Sequence, residues 1–293
     1  MALQDAPREA IADPPRAKVI KVMTKQSMTK RVFITGGAGG LGQALATQLA
    51  KQGAQVLIGD RDAEAAQHTA AEIGVDWITC DVTSEADLRK TADWLHAHWG
   101  GLDLLINNAG VAQMGPFDQT EIEDWRWIFD INTLGPVRTA QALGPLLPHG
   151  GQMLNIASMA AVLYLSNSAA YNASKAALLA ISETLMLEWQ DRGISVHVAC
   201  PSFFRTDLAR NMRATDDQTR AATTRMVERA RISADEVAAI ILDGLAKGQA
   251  HILTHPAARK SWRLKRYLPF PCYMARMRRD MARLKARLAR QNN

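Results

Sequence analysis

The stretch Arg31-Val32-Phe33-Ile34-Thr35-Gly36-Gly37-Ala38-Gly39-Gly40-Leu41-Gly42 decides the fold. Four of its first five residues are apolar or β-branched, as a short buried strand requires. It runs without a linker into a glycine turn. The segment after the turn places Leu45 and Leu49 on one face and Gly53 past its end, which reads as a helix. Glycines at such a junction let the chain turn sharply and let backbone N–H groups approach a pyrophosphate, whose charge the helix N-terminus favours. An ordinary glycine-rich turn is the bland alternative, but strand before and helix after are the context a phosphate-binding turn needs. No Lys-Ser or Lys-Thr follows the glycines, which argues against an ATP-binding P-loop.

Working outward, short β-branched runs at 31–35, 55–59, 76–79, 103–106, 152–156, 194–199 and 251–253 alternate with segments of helical period such as 40–52, 85–98 and 171–192. This alternation predicts a doubly wound α/β fold. Its sheet is mostly parallel and seven-stranded, covered by helices on both faces and joined by right-handed crossovers. Residues 1–29, with prolines, mixed charge and little periodicity, read as a flexible N-terminal extension. Residues 30–255 form the catalytic domain, and 256–293 a basic amphipathic helical tail.

At 293 residues and 47% hydrophobic, the chain can bury a sizeable core. Cys80, Cys200 and Cys272 are too few and too scattered for a disulfide framework or a zinc cluster, and the seven histidines form no metal set. No run approaches the ~18 apolar residues of a membrane span, and no signal-peptide block opens the chain. These features point to a reducing, cytoplasmic setting. The net charge of +6 hides an asymmetry: residues 30–250 carry −7, whereas residues 251–293 hold 12 Lys/Arg against the single acid Asp280.

Two further clusters carry chemistry. Strand two ends in Gly59-Asp60-Arg61, eighteen residues after Gly42. A carboxylate there accepts both ribose hydroxyls of NAD and repels a 2′-phosphate, so NAD is the reading; NADP, paired through Arg61, is the alternative. Asp81 and Val82, after the third strand, either contact the adenine ring or cap the next segment. Tyr171 and Lys175 lie four apart, on one face of a helix, with Ser158 thirteen residues upstream of the tyrosine. An ammonium beside a phenol favours the phenolate, so the Tyr171 pKa is expected to fall from about 10 and make it a proton donor and acceptor.

Assembled, these residues resemble the short-chain dehydrogenase/reductase family over roughly residues 30–253. Thr35 to Gly42 resembles its cofactor turn, with Gly36, Gly40, Leu41 and Gly42 in place. Asn107-Asn108-Ala109-Gly110 resembles its sheet-stabilising, cofactor-lining segment. Asn132 falls at its proton-relay asparagine, and Ser158, Tyr171 and Lys175 match its catalytic trio. Cys200-Pro201-Ser202-Phe203-Phe204-Arg205-Thr206 resembles the segment that contacts the nicotinamide carboxamide, through Pro201, Phe203 and Thr206. Ser202 departs from the family, which often has glycine there, and bears on the backbone if φ > 0 is required. The resemblance implies a single-domain NAD(P)-dependent Rossmann-fold oxidoreductase. Tyr171 would move the proton, Lys175 would tune it and bind the ribose, Ser158 would hold the reacting oxygen, and Asn132 would hold a relay water. It also implies a homodimer or homotetramer built on the Tyr171 helix, whose Leu178, Leu179, Ile181, Leu185 and Met186 exceed one narrow apolar stripe.

Substrate-pocket candidates are Met114, Leu163, Phe203, Phe204 and Leu208, joined by Phe117, Val162, Tyr164 and Met212. They are apolar and bring no cation for a carboxylate, so the expected substrate is a hydrophobic alcohol or ketone; packing of a lid is the competing role. Residues 207–232 read as a helical lid, ending at a capping box on Ser233 and Glu236. In the tail, Met274, Met277, Met281, Leu284 and Leu288 form one seam among arginines. Packing on its own domain or a partner subunit is the first reading of 256–293, and peripheral contact with an anionic membrane the second. Nucleic acid is set aside because no base-stacking or groove-reading signal accompanies the charge. The alternative function is a non-catalytic NAD(P)-binding regulatory or scaffold protein. An intact Ser158/Tyr171/Lys175 set argues against it, since such a protein has no need for a phenol beside an ammonium.

Overall fold

The structure, a computed structural model, describes residues 30–206 and 212–291. Seven strands form one parallel sheet: β1 (Arg31–Thr35), β2 (Gln55–Asp60), β3 (Asp76–Thr79), β4 (Leu104–Asn107), β5 (Gln152–Ile156), β6 (Ser195–Cys200) and β7 (His251–Leu253). Their order is β3-β2-β1-β4-β5-β6-β7, so the winding reverses between β1 and β4 and opens a crevice beyond their carboxyl ends. The strands fall within a residue of the runs read from the sequence.

Alternation along β1 sorts the two faces. Val32 and Ile34 join Val56, Ile58, Leu104 and Ile106 against α1 (Gly40–Lys51) and against α8 (Ala234–Ala246), while Phe33 joins Leu57, Leu105 and Met153 on the other side. That second face packs on α3 (Glu85–Trp99) and α5 (Gly135–Leu143) through Leu88, Leu95 and Leu143. Burial on both faces is why these strands read as nearly continuous apolar runs. At the strand starts Arg31 grips Asp103 bidentately, at 2.9 and 2.8 Å, and ties β1 to the entry of β4. Ser84 caps α3, and α8 opens with the expected capping box between Ser233 and Glu236.

Polar side chains cross the sheet below the crevice. Thr139 on α5 donates to Asn107, Asn107 donates to its register partner Asn155, and Asn155 donates to Ser182 on α6 (Ala169–Glu188). All four residues are buried, and each hydrogen bond holds one element to the next.

Between α4 (Ile122–Phe129) and α5 the chain continues through a π-helical turn, Asp130–Leu134. The helix expected over 171–192 is α6, which starts two residues before Tyr171 and gives way at Trp189 to a turn closed by Gly193 at φ +66°. The lid differs from the expectation of continuous helix. Arg213–Ala214 pairs in parallel with Gln113–Met114, and only then does α7 (Asp217–Glu228) begin. Residues 1–29 and 207–211, Leu208 included, lie outside the described residues.

The tail comprises α9 (Pro256–Tyr267) and α10 (Phe270–Gln291). Trp262 of α9 packs beside Leu163 and Leu179 on a cluster containing Met159, Val162 and Leu178, and Tyr273 of α10 is 6% exposed. Among the seam residues, Met281, Leu284 and Leu288 have side chains that are not described. Among the described residues no helix is long and apolar enough to cross a membrane.

Candidate active site

The crevice at the carboxyl ends of the strands is a cleft of about 540 Å³. At one end lies the turn between β1 and α1. Gly36 has φ +63°, and a Cβ there would come within 2.8 Å of the Ala109 Cα. A side chain at Gly42 would collide with the Gly36 carbonyl oxygen. Asn108 locks the turn from β4: its Nδ2 donates to the carbonyl oxygens of Thr35 and Gly36 at 3.0 and 2.8 Å. Thr35 returns the contact, its Oγ1 accepting from the backbone N–H groups of Asn108 and Ala109. Close backbone approach with no side chain in the way is the arrangement a dinucleotide pyrophosphate requires, so these residues fit that group.

Asp60 ends β2 at the cleft wall, its carboxylate accepting from the N–H groups of Ala38 and Asp62 at 3.2 Å each. Asp81 accepts from both N–H and Oγ1 of Thr83 at 2.8 Å, which fixes the turn after β3, while Ser84 does the capping of α3. Arg61, Val82, Gly40, Leu41, Ala109 and Gly110 also reach the cleft. Gly42 does not line it; it is buried in the packing of α1 on the turn.

Toward the centre, Ser158, Tyr171 and Lys175 line the same cleft. Ser158 follows β5 and its Oγ accepts from the Ala160 N–H at 3.1 Å. Burial raises the Tyr171 phenol above its usual range, a hydrogen bond with Ser158 opposing the rise. Lys175 is buried, its Nζ donates to the Ile156 carbonyl oxygen at 2.9 Å, and burial lowers its pKa to about 8. The expected fall of the tyrosine pKa is thus absent from this arrangement: desolvation of the phenol prevails, and the ammonium is turned to the end of β5.

Asn132 lies on the π turn between α4 and α5. It is fully buried and outside the cleft lining, with Oδ1 accepting from the Val111 N–H at 2.8 Å and Nδ2 donating to the Val111 carbonyl oxygen and to Ser174. Its amide joins the segment after β4 to α6.

Pro201, Ser202, Phe203 and Thr206 follow β6 along the cleft. Ser202 is not among the residues of positive φ, so serine fits there, and its N–H donates to His255 Nδ1 at 3.4 Å. Among the apolar candidates, Met114, Leu163, Phe203, Phe204 and Met212 line the cleft. Phe117 instead is 72% exposed and set edge-on to Trp125, Val162 is buried in a cluster with Leu178, Val198 and Leu253, and Tyr164 lies outside the lining. Sequence reasoning missed Trp127 and Ile131, whose side chains reach the cleft from α4 and the π turn. Helical periodicity alone does not reveal a π turn, so no sequence signal placed them. Among the described residues no group of His, Cys, Asp or Glu could hold a metal ion.

A parallel sheet with its reversal at β1/β4, a glycine turn clear of side chains and a tyrosine–lysine helix over the crevice define a dinucleotide-binding oxidoreductase. The chain belongs to the short-chain dehydrogenase/reductase family and acts on CH–OH or carbonyl groups with NAD or NADP: the model of the short chain dehydrogenase family matches residues 30–217. It is 34% identical over 218 residues to a D-threitol dehydrogenase from Mycolicibacterium smegmatis, covering 72% of this chain and 83% of that one. It is 30% identical over 243 residues to a 1-deoxy-11-beta-hydroxypentalenate dehydrogenase from Streptomyces exfoliatus, covering 79% and 85%. The crystal structure of a short chain dehydrogenase/reductase from Burkholderia phymatum in complex with NAD superposes with a TM-score of 0.74 at 28% identity, covering 80% of this chain and 92% of that one.

Proposed function

We propose that the chain moves hydride between NAD and a hydrophobic alcohol or ketone, with Tyr171 as general acid and base. The observation that carries this reading is that Ser158, Tyr171 and Lys175 share one cleft with the glycine turn. When bound, the nicotinamide takes up or supplies the hydride. Gly36, Gly40 and Leu41 would hold the pyrophosphate, Asp60 the adenosine ribose, and Pro201, Phe203 and Thr206 the nicotinamide end. In oxidation, deprotonated Tyr171 takes the hydroxyl proton as hydride leaves the carbon; in reduction it returns that proton to the carbonyl oxygen. Ser158 donates to the same oxygen and holds it as charge develops. Lys175 lies one turn from Tyr171; its ammonium, turned to the Ile156 carbonyl in this structure, would favour the phenolate once it faces the phenol. The relatives are named for D-threitol and for 1-deoxy-11-beta-hydroxypentalenate, two very different alcohols. The choice of a hydrophobic substrate rests on Met114, Leu163, Phe204 and Met212 in the lining.

The test is nicotinamide absorbance with both cofactors and a panel of hydrophobic alcohols and ketones, beside Tyr171→Phe. Turnover that disappears in the variant supports the assignment. Cofactor binding without turnover of any member favours the regulatory or scaffold reading.

For assembly, the reading is a homodimer or homotetramer through α4 and α6, where Ile122 is 58% and Leu187 75% exposed. For the tail, peripheral contact with an anionic membrane is supported by Tyr267 and Phe270, 79% and 69% exposed between Arg263, Arg266 and Arg276. Sedimentation with phosphatidylserine vesicles, unchanged on removing residues 256–293, would sink that contact.

A further inference from the structure

The segment after Ser158 forms a wall of the cleft that its local bonds hold only in part. Met159–Ala161 is a short 3-10 turn, with Leu163 and Leu165 of the following loop lining the cleft. Local bonds run from the Leu163 N–H to the Met159 carbonyl at 2.7 Å and from Asn172 Nδ2 to the Leu165 carbonyl at 2.9 Å. The Val162 N–H also bonds locally, to the Met159 carbonyl at 3.1 Å, but the Val162 carbonyl and the Tyr164 ring meet a partner from the far end of the chain. Lys265 of α9 donates from Nζ to the Val162 carbonyl oxygen at 2.6 Å, and the same Nζ stands 3.4 Å from the centre of the Tyr164 ring.

Two physical effects coincide at this ammonium. Val162 closes the short helical turn, so its carbonyl belongs to the negative end of that turn and favours a cation. The Tyr164 face offers a second electrostatic partner. The lysine is itself fixed by the docking of α9: Trp262, one turn earlier, packs on the buried cluster that contains Val162, and Arg259 Nε donates to the Leu253 carbonyl at 3.2 Å. Tyr273 of α10 is buried nearby, and burial raises its pKa, the neighbouring Tyr164 adding to the rise. The apolar wall that meets the substrate is thus flanked on its outer side by a cation delivered across 103 residues of sequence.

We infer that Lys265 is a positioning residue for substrate selection: it pins the 162–164 backbone so that Leu163 and Leu165 keep the shape of the pocket. It touches neither the cofactor turn nor the Ser158, Tyr171 and Lys175 side chains. The part of this inference that concerns catalysis rests on the oxidoreductase reading proposed above; the part that concerns the loop does not.

The experiment compares Lys265→Met and Lys265→Arg with the parent as full-length chains, by two readouts. Amide hydrogen exchange over 159–165 is expected to quicken in Lys265→Met and to stay near the parent in Lys265→Arg, which keeps the charge, with β1 and β4 unchanged in both. Using the alcohol of the panel turned over best, KM is expected to rise about tenfold in Lys265→Met, the scale of one charge-assisted hydrogen bond, with kcat and NADH affinity kept. Exchange and KM both unaltered would overturn the proposal. So would a loss of kcat, NADH affinity and strand protection in step, which marks general destabilisation. If no alcohol is turned over, the function proposed above fails, and the exchange readout alone decides the role of Lys265.

Discussion

Lys175 Nζ lies 2.9 Å from the carbonyl oxygen of Ile156 and donates to it, which ties the Tyr171 helix to the last residue of β5. That bond satisfies the ammonium without restoring the hydration it lost. Burial holds the Lys175 pKa near 8 against an ordinary 10.5. Between about pH 8 and pH 10.5 the unfolded chain therefore binds a proton that the folded chain does not, so this group makes stability rise with pH across that window. Below pH 8 both states are protonated and the full cost of burying the charge is present. Lys175→Met is expected to raise the urea midpoint at pH 7, with the gain shrinking towards pH 10; a gain that grows with pH would contradict this account of the lysine.

Asp60 sets cofactor choice in the proposed reading. Its carboxylate is pinned by the N–H groups of Ala38 and Asp62, so it cannot swing aside to admit a 2′-phosphate. The parent should favour NAD over NADP by about tenfold or more in binding, on the scale of one charge-assisted contact. Asp60→Ser should erase most of that preference, read by fluorescence titration with NADH and NADPH.

Asn107 is the hub of the polar chain across the sheet. Asn107→Ala would remove the donor to the buried Asn155 and the shortest of the acceptors around Thr139, whose hydroxyl also reaches the Pro136 carbonyl at 2.9 Å. The expected loss is about 2–3 kcal/mol of unfolding free energy. Urea denaturation measures it, and an unchanged midpoint would mean that the neighbours find new partners.

Arg213 fastens the lid. Its guanidinium lies 4.1 Å from the Trp127 ring centre and donates to Asp124 at 2.9 Å, which holds the short lid strand against α4. Arg213 is half exposed, so the effect is modest. Arg213→Ala should raise the substrate KM by about threefold to tenfold and speed tryptic cleavage within α7. Equal cleavage rates would assign lid closure to Met212 and Val227 packing alone.

The fold was legible because each of its rules is local. The runs 31–35 and 152–156 read as strands because both of their faces are apolar, and Ser233 with Glu236 read as a helix start because the capping pair lies within one turn. Ser158, Tyr171 and Lys175 were found by spacing, and the structure brings all three to one cleft. What escaped the sequence depends on contacts between distant segments. The burial of Asn132 needs the π turn and the backbone of Val111; the Tyr171 pKa depends on desolvation that no four-residue spacing reports. Tyr164 read as a pocket residue because it neighbours Leu163, but a lysine a hundred positions away claims its ring.

The docking of α9 gives the site a direction in time. The dinucleotide turn and its Asn108 lock are complete in the nascent chain about 155 residues before Lys265 is made. At ribosomal rates that interval is roughly ten to thirty seconds. During it, β1 to β4 and the glycine turn are already synthesised, while the backbone around Val162 waits for its contact from α9. A chain cut short before α9 would keep the Asn108 lock on the glycine turn and lose the cation at the Val162 carbonyl.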